Sequence, residues 1–217
     1  MKITIVGTGY VGLITGTCFA NAGNNVTCLD IDPKKVETLN KGEAPFFEPG
    51  LSEMMTKSIN AGRLDFSDDS STAFTGSDII FICVGTPTGN DGKCDLSYVL
   101  GVADDISKVL DTFDTPPVVV VKSTVPVGTT HRVAERLHGE YFIANNPEFL
   151  REGNAIDDFR TPDRVVCGVE SEEAQAALEQ LYAPFTGDGH PLLFFDIHSS
   201  EMVKYASNAM LACKISF

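Results

Sequence analysis

The sequence predicts an α/β fold in which a doubly wound parallel sheet leads into the start of a long helix. Short apolar runs rich in β-branched residues, such as IIFICV at 79–84 and VVVV at 118–121, alternate with amphipathic stretches of helical period. Strands that are apolar along their whole length and separated by helices are typical of a parallel sheet covered on both faces. At 217 residues the chain is long enough to bury one sizeable core of this kind.

The predicted elements alternate along the chain. Strands are predicted near 2–6, 25–30, 79–83, 117–122, 141–144 and 164–168. Helices are predicted near 10–22, 33–40, 49–61, 95–111, 127–138 and 171–183. The stretch HSSEMVKYASNAMLACKISF predicts a last, long helix with Ser199 or Ser200 as its N-cap and Glu201 in its first turn. Because this helix is apolar around most of its circumference and ends without a cap, we expect it to need a partner and the chain to be cut short.

The composition excludes two classes of partner. With 16 basic and 30 acidic residues the formal net charge is −14, so nucleic acid and anionic lipid would not be attracted by a general field. An anionic ligand must instead be held by local donors such as backbone N–H groups and single lysines. The longest apolar runs are strand-sized, which excludes a membrane span, and the chain opens on a strand pattern without a signal peptide. We predict no metal site, a cytoplasmic location, and reduced, buried thiols at Cys18, Cys28, Cys83, Cys94, Cys167 and Cys213.

A glycine fingerprint follows the first predicted strand. Gly7, Gly9 and Gly12 stand between that strand and the next predicted helix, which is the context that such a fingerprint needs. Gly7 permits a tight turn, Gly9 lets the backbone approach a pyrophosphate, and Gly12 lets helix and strand pack closely. The helix N-terminus then faces the anion. The fingerprint therefore predicts a Rossmann-like dinucleotide site.

Asp30 stands at the end of the second predicted strand, roughly 20 residues after the first glycine. A carboxylate there accepts from the ribose hydroxyls of adenosine and repels a 2′-phosphate, which favours NAD over NADP. Lys35, one turn into the next helix, can reach the same ribose or be an ordinary surface lysine. Asp30 can also be a helix N-cap, although Asp32 before Pro33 suits that role better. FAD enzymes and some methyltransferases share such a first unit and stay open as alternatives.

Polar residues also follow three further predicted strands. The segments are VGTPTGNDG at 84–92, KSTVPVGTT at 122–130 and NNPEFLREG at 145–153. Each alone can be turn chemistry, but the carboxyl ends of parallel strands meet at one edge, where open sheets bind ligands. Thr86 and Thr124 can bond a ribose, a nicotinamide or an ordered water. Glu148 and Glu152, four residues apart, are candidates for an acid and a base.

Lys204 and Asn208 lie four residues apart on the last predicted helix and so share a face. An ammonium beside an amide can stabilise an oxyanion that develops on a substrate. The spacing alone more often describes an ordinary surface pair, so both interpretations stay open.

Several segments together resemble one known family. GTGYVGL, FEPGL, VGTPT, DLSYV, KSTVPVGT, NPEFLREG, PDRVV and KYASNAMLACKISF all look like segments of the UDP-glucose 6-dehydrogenases, a branch of the nucleotide-sugar dehydrogenases, and they occur in that family's order. The resemblance covers the whole chain. It implies oxidation of the C6 hydroxymethyl of UDP-glucose to a carboxylate with two NAD+ reduced per turn, by way of a cysteine-bound thiohemiacetal and thioester.

The resemblance also implies roles for single residues. Thr124 and Glu148 would position or activate water, and Glu152 would lie near the nicotinamide. Lys204 and Asn208 would stabilise the oxyanions. The substrate would be lined by Glu148, Phe149, Leu150, Arg151, Lys204 and Asn208. The expected cofactor contacts are Gly7, Gly9, Tyr10, Val11, Gly12, Asp30, Lys35, Gly85, Thr86, Ser123, Thr124 and Glu152.

One departure from the family's pattern concerns the nucleophile. The family's reactive cysteine lies in a Gly-Pro-Cys-Phe segment of a downstream domain that holds most UDP contacts, and none of the six cysteines here stands in such a segment. Cys83 and Cys94 also stand where small residues, commonly alanine, are expected. The resemblance thus implies a Rossmann-like NAD-binding domain over 1–197 and the start of a central connecting and dimerisation helix over 198–217, with the UDP-binding domain absent.

The leading function is therefore that of a UDP-glucose 6-dehydrogenase of polysaccharide biosynthesis, cytoplasmic and homodimeric at full length, of which this chain alone would be inactive. Dehydrogenases of GDP-mannose or UDP-N-acetylhexosamine share most motifs, although REGNAIDDF followed by PDR looks closer to the glucose enzymes. A two-electron hydroxyacid dehydrogenase also uses a Lys-x-x-x-Asn pair, but KSTVPVGT argues against it. A non-catalytic NAD-binding module stays open as a different class.

Overall fold

A sheet of eight strands forms the centre of the computed structural model, which describes residues 1–187 and 189–217. The strands are β1 (Lys2–Val6), β2 (Asn25–Leu29), β3 (Leu64–Ser67), β4 (Ile79–Ile82), β5 (Val118–Val121), β6 (Phe142–Asn145), β7 (Val165–Val169) and β8 (Leu192–Phe195). Their order across the sheet is β3-β2-β1-β4-β5-β6-β7-β8. The first six follow the strand order of the doubly wound dinucleotide-binding folds, which confirms the predicted fold class.

Helices cover both faces of the sheet. In the described residues they are α1 (Tyr10–Asn21), α2 (Pro33–Asn40), α3 (Leu51–Asn60), α4 (Ser70–Phe74), α5 (Ser97–Ser107), α6 (Thr129–Ala134), α7 (Ala155–Arg160), α8 (Glu172–Tyr182) and α9 (Ile197–Ser216), with a 3₁₀ turn at Leu110–Thr112. In β5, Val118 and Val120 join the apolar core on one face, and Val119 and Val121 join the core on the other. Alternate residues of a strand point to opposite faces, so an apolar strand needs cover on both sides.

The sheet differs from the sequence prediction in two respects. β6 and β7 pair antiparallel, so the prediction of a wholly parallel sheet is wrong at this pair. The connection between them carries only the short helix α7 and re-enters the sheet at the edge where β6 ends, which an antiparallel neighbour requires. The apolar pattern of the sequence also does not predict β3 and β8. Both have four residues, LDFS and LLFF, and runs this short carry little periodicity to recognise.

The last helix begins before its predicted N-cap. Asp196 is the N-cap of α9, and its carboxylate accepts from the backbone N–H of Ser199 at 2.9 Å. The prediction of Ser199 or Ser200 as N-cap is therefore wrong. Ser200 is instead buried against the sheet, where its hydroxyl donates to Oδ1 of Asn145 at 2.7 Å.

Glu201 also differs from its expected role, because α9 starts early and Glu201 lies beyond the first turn. Its side chain is buried and accepts from the backbone N–H of Gly128 at 2.6 Å and of Thr130 at 2.8 Å. The hydroxyl of Thr130 donates to the same carboxylate at 2.6 Å. Glu201 therefore caps the N-terminus of α6 and ties α9 to the loop that follows β5.

The second half of α9 is exposed. Met210, Leu211 and Ile215 are 60%, 57% and 77% exposed, which agrees with the expectation that this helix lacks a partner here. Cys213 lies on the same stretch and is exposed too, so the expected burial is wrong for this thiol, while Cys94 is half-buried. Among the described residues no helix has both the length and the apolarity to cross a bilayer.

Candidate cofactor site and active site

The glycine loop lies between β1 and α1, as predicted. Gly7 has a φ of +97°, and a Cβ on it would lie 2.9 Å from the backbone O of Cys83. A Cβ on Gly12 would lie 1.9 Å from the backbone O of Gly7. At Gly9 a Cβ would meet no described atom within 4 Å. The fold itself therefore needs glycine at two of the positions, whereas Gly9 leaves open space where a ligand can approach the backbone.

Asp30 stands beside this loop at the end of β2. Its Oδ2 accepts from the backbone N–H of Thr8 at 3.0 Å, from the hydroxyl of Thr8, and from Nζ of Lys35 at 2.7 Å. Burial by itself would raise the pKa of Asp30, but the hydrogen bonds from Lys35 and Thr8 outweigh it and hold the pKa below its ordinary value. The glycine loop is thus bordered by a carboxylate that is ionised at neutral pH.

These contacts also decide between the alternatives for Asp30 and Lys35. Asp32 is the N-cap of α2, since its Oδ1 accepts from the backbone N–H of Lys34 at 3.0 Å, and Asp30 does not have that role. The side chain of Lys35 is 27% exposed and forms an ion pair with Asp30, so Lys35 is not a freely solvated surface lysine. Asp30 therefore contacts the glycine loop through Thr8, and Lys35 contacts Asp30.

A cavity of about 530 Å³ lies beyond the carboxyl ends of β1, β2 and β4. Five of the predicted cofactor residues line it, namely Gly7, Gly9, Asp30, Lys35 and Gly85. The strand order reverses between β1 and β4, which is the point where open α/β sheets bind ligands. The volume lies within the usual range of small-molecule sites.

Hydroxyl groups join the loops that follow β4 and β5. Thr86 donates to the backbone O of Thr124 at 2.8 Å, and Ser123 donates to the backbone O of Val84 at 2.7 Å. The predicted meeting of these strand ends is therefore confirmed. Thr124 is half-buried, and its hydroxyl has no hydrogen-bond partner within the described part of the chain, so it can bond a ligand or water.

Lys204 is buried rather than exposed on the helix surface. Its side chain is 8% exposed, and its Nζ lies 2.8 Å from Oε1 of Glu148, whose side chain is 14% exposed. The other carboxylate oxygen of Glu148 accepts from the backbone N–H of Leu150 at 2.7 Å. The ammonium also lies 5.3 Å from the ring centroid of Phe149. The surface-pair interpretation is therefore wrong for Lys204. Asn208, one turn further along α9, is exposed in this chain.

The remaining predicted substrate residues lie in the loop after β6. Arg151 is exposed and forms an ion pair with Asp158, with Nη2 2.6 Å from Oδ1. Glu152 is exposed, whereas Glu148 is enclosed beside Lys204, so the two glutamates stand in different environments. A second cavity, of about 310 Å³, is lined by Glu148, Phe149, Leu150, Arg151 and Arg164 among others.

Two further groups of buried polar side chains are absent from the sequence prediction. Lys122 is buried at the end of β5, and its Nζ donates to Oδ1 of Asn146 at 2.8 Å. The hydroxyl of Tyr182 donates to the same oxygen at 2.5 Å. Burial lowers the pKa of Lys122 and raises that of Tyr182. A lysine directly after the run VVVV is the signal that could have identified this group.

The second group centres on a buried glutamate, Glu48, in the loop before α3. It accepts from the hydroxyl of Tyr10 at 2.8 Å, so Tyr10, a predicted cofactor residue, bonds a carboxylate. Val11, the next predicted residue, is half-buried at the start of α1. The segment FEPGL, which contains Glu48, shows no chemical pattern that marks this glutamate as buried, because the partners of Glu48 lie far away in sequence.

Comparison with known proteins assigns this arrangement to a family. Residues 1–186 match the NAD binding domain of the UDP-glucose/GDP-mannose dehydrogenase family. The chain belongs to this family. The match also confirms the predicted cofactor, NAD.

The relatives of this family member are longer than the chain itself. Over 225 residues it is 46% identical to the UDP-glucose 6-dehydrogenase of Rhizobium meliloti (strain 1021), a match that covers 100% of this chain and 51% of the relative. The chain spans about half the length of the curated relatives it matches.

Solved structures of the family share its fold. The UDP-glucose dehydrogenase of the hyperthermophilic archaeon Pyrobaculum islandicum matches with a TM-score of 0.93 at 40% identity. A GDP-mannose dehydrogenase from Pseudomonas aeruginosa matches with a TM-score of 0.94 at 33% identity. Each match covers 100% of this chain and 51% of the other chain.

Proposed function

We propose that this chain is the cofactor-binding half of an enzyme that oxidises UDP-glucose to UDP-glucuronate with NAD+. The observation that carries the proposal is the arrangement at one edge of the sheet, where the Asp30 carboxylate borders the glycine loop and the Lys204–Glu148 pair borders the loop after β6. The 46% identity of the whole chain to a UDP-glucose 6-dehydrogenase supports this choice of substrate.

The features of this chain fit the proposed cofactor. Open space at Gly9 leaves the backbone there and the N-terminus of α1 accessible to a pyrophosphate. Asp30 accepts from the adenosine ribose hydroxyls, and its charge disfavours a 2′-phosphate. When bound, NAD+ supplies the hydride acceptor. The full set of proposed cofactor residues is Gly7, Gly9, Tyr10, Val11, Gly12, Asp30, Lys35, Gly85, Thr86, Ser123, Thr124 and Glu152.

Lys204 and Glu148 are the proposed centre of the chemistry. The ammonium stabilises negative charge that develops on a substrate oxygen, and the carboxylate takes a proton from water or an alcohol. Both side chains are largely removed from water, which strengthens their electrostatic effect. Thr124, Glu152 and Asn208 are proposed to orient water and substrate around this pair.

The thiol that a four-electron oxidation needs is not one of the buried cysteines. Burial raises the pKa of Cys18, Cys83 and Cys167 to about 12, and it raises that of Cys28 well above the ordinary value. Such thiols are protonated at neutral pH and are poor nucleophiles. Cys94 and Cys213 are not buried, but neither stands in the family's Gly-Pro-Cys-Phe segment, so on the family resemblance we place the nucleophile outside these 217 residues.

We also propose a domain division and an assembly. Residues 1–197 would form the NAD-binding domain, and 198–217 would begin a connecting helix through which the full-length enzyme dimerises. The exposed apolar residues Met210, Leu211 and Ile215 of that helix support a buried role in the longer protein. A cytoplasmic location and a part in polysaccharide biosynthesis complete the proposal, supported by the resemblance to the UDP-glucose 6-dehydrogenases.

A dehydrogenase of GDP-mannose is the second candidate. The high TM-score of 0.94 to such an enzyme favours it, although the identity is 33%, against 40% to the archaeal UDP-glucose dehydrogenase. Turnover of GDP-mannose instead of UDP-glucose by an enzyme that includes the downstream half would establish this alternative.

Two measurements on the 217-residue chain test the proposal. Calorimetry should show binding of NAD+ that is tighter than binding of NADP+, and equal or tighter binding of NADP+ would reverse the cofactor assignment. With UDP-glucose and NAD+, the chain should form no sustained NADH, because the proposal places the thiol and most UDP contacts outside these 217 residues. Steady formation of two NADH per sugar would show that the nucleophile is among the six cysteines after all.

A further inference from the structure

The buried side chain of Glu48 joins three segments that are distant in sequence. Glu48 is 5% exposed. Its Oε2 accepts from the hydroxyl of Tyr10 at 2.8 Å and from the backbone N–H of Gly153 at 2.8 Å, and its Oε1 accepts from the backbone N–H of Ala155 at 2.7 Å. A buried carboxylate needs such donors to offset its desolvation, so the three segments are held in one geometry.

Tyr10 connects the Glu48 carboxylate to the glycine loop. It is the first residue of α1 and directly follows Gly9 of the glycine loop. Its hydroxyl also lies 3.2 Å from the backbone O of Arg151, and its ring centroid lies 5.0 Å from that of Phe46. Burial, together with the hydrogen bond to Glu48, raises the pKa of Tyr10, so the hydroxyl keeps its proton and remains a donor.

The opposite side of Glu48 holds the loop that carries the proposed substrate residues. Gly153 and Ala155 lie at the end of that loop, directly after Arg151 and Glu152 and at the start of α7. One carboxylate thus fixes the distance between the glycine loop and this loop.

We propose that Glu48 is a positioning residue that holds the segment 150–155 against the glycine loop. When a ligand orders either of these two segments, the other segment becomes more ordered too. The inference rests on the proposed function, which places NAD+ at the glycine loop and the sugar at 148–151. Coupling of this kind is reciprocal: a ligand that orders one side lowers the cost of ordering the other.

Two variants distinguish the positioning role of Glu48 from a general contribution to the stability of the fold. Glu48→Gln keeps the shape, but its NH₂ group must face at least one backbone N–H, because the carboxylate accepts N–H groups on both oxygens. Tyr10→Phe keeps the carboxylate and its two backbone donors and removes the hydroxyl, which contacts both the carboxylate and the backbone O of Arg151. Glu53→Gln, an exposed change on α3, is the matched control.

The experiment is amide hydrogen exchange of the 217-residue chain, resolved by segment, with and without NAD+. In the wild type NAD+ should slow exchange at both 7–12 and 150–155. In Tyr10→Phe, at an NAD+ concentration that saturates the variant, exchange at 7–12 should still slow, whereas the slowing at 153–155, past the proposed cofactor contact Glu152, should be lost. In Glu48→Gln the segment 150–155 should exchange roughly 10- to 150-fold faster even without ligand, the factor that corresponds to one lost hydrogen bond to a charged group.

Each other outcome has a defined meaning. Wild-type exchange at 150–155 in both variants, with and without NAD+, would overturn the positioning role of Glu48. Equal slowing of both segments by NAD+ in wild type and Tyr10→Phe would overturn the coupling through Tyr10. If NAD+ slows exchange nowhere while Glu48→Gln still speeds it at 150–155, the proposed cofactor fails and the link between the two loops stands.

Discussion

Replacing Asp30 by alanine is expected to narrow the preference for NAD+ over NADP+. The carboxylate accepts from the backbone N–H of Thr8 at 3.0 Å and from Lys35 at 2.7 Å, and in the proposed complex it also accepts from the adenosine ribose. Asp30→Ala removes an acceptor and a negative charge together. The two nucleotides respond in opposite directions, because only NADP+ carries a phosphate at that ribose.

The magnitude follows from these interactions. A hydrogen bond to a charged group contributes about 1.5–3 kcal/mol, so NAD+ should bind about 10- to 150-fold more weakly. Two unit charges 4 Å apart near a protein surface repel by about 4 kcal/mol, and the variant relieves part of that repulsion for NADP+. Lys35 loses its partner and becomes available to the 2′-phosphate.

The pH dependence has a definite sign. Because the pKa of Asp30 is lowered in the folded chain, its contribution to folding is complete above the ordinary value of 3.8 and is lost as the pH falls through the folded value. Asp30 is then ionised throughout the neutral range. The affinity of the wild type for NAD+, which lacks the titrating 2′-phosphate of NADP+, should therefore stay constant between about pH 6 and 8.

The assay is calorimetric titration of wild type and Asp30→Ala with both nucleotides. Asp68→Ala is the matched control, since Asp68 is exposed and lines the same cavity. The control should keep the wild-type ratio of the two dissociation constants. If Asp30→Ala melts cooperatively and also keeps that ratio, the reasoning that assigns selectivity to this carboxylate is refuted.

Two further predictions concern the glycine loop and the last helix. Gly9→Ala should melt like the wild type but lose NAD+ affinity, whereas Gly12→Ala should lower the melting temperature as well, since its Cβ would lie 1.9 Å from the backbone O of Gly7. Equal melting temperatures for the two variants would contradict this distinction. In an enzyme that includes the downstream half, Lys204→Ala should lower kcat by roughly 10²–10³ with little change in NAD+ affinity, and the control Lys57→Ala, an exposed change on α3, should not. A near-normal kcat would remove Lys204 from the proposed chemistry.

Sequence reasoning worked best where a role depends on a single strand end. The roles of Gly7 and Gly12 are predicted from the tight turn and the close packing of a strand-to-helix connection. In the structure a Cβ at either position would collide with the backbone. Asp30 follows from its place at the end of the neighbouring strand. The reasoning failed for Lys122 and Glu48, which are polar residues buried by partners elsewhere in the chain, and their own neighbourhoods carry no sign of those partners.

The amino-acid sequence alone predicts the doubly wound class of the fold, the glycine loop and the acidic residue beside it. Apolar periodicity and the steric needs of glycine are local properties, so a short window of sequence contains them. Three features depend on the assembled fold: β7 runs antiparallel to β6, Glu201 caps α6 rather than its own helix, and Lys204 is buried. Lys204 meets Glu148 across 56 residues of chain, and the free energy of such a contact depends on burial and geometry that arise only when the whole sheet assembles.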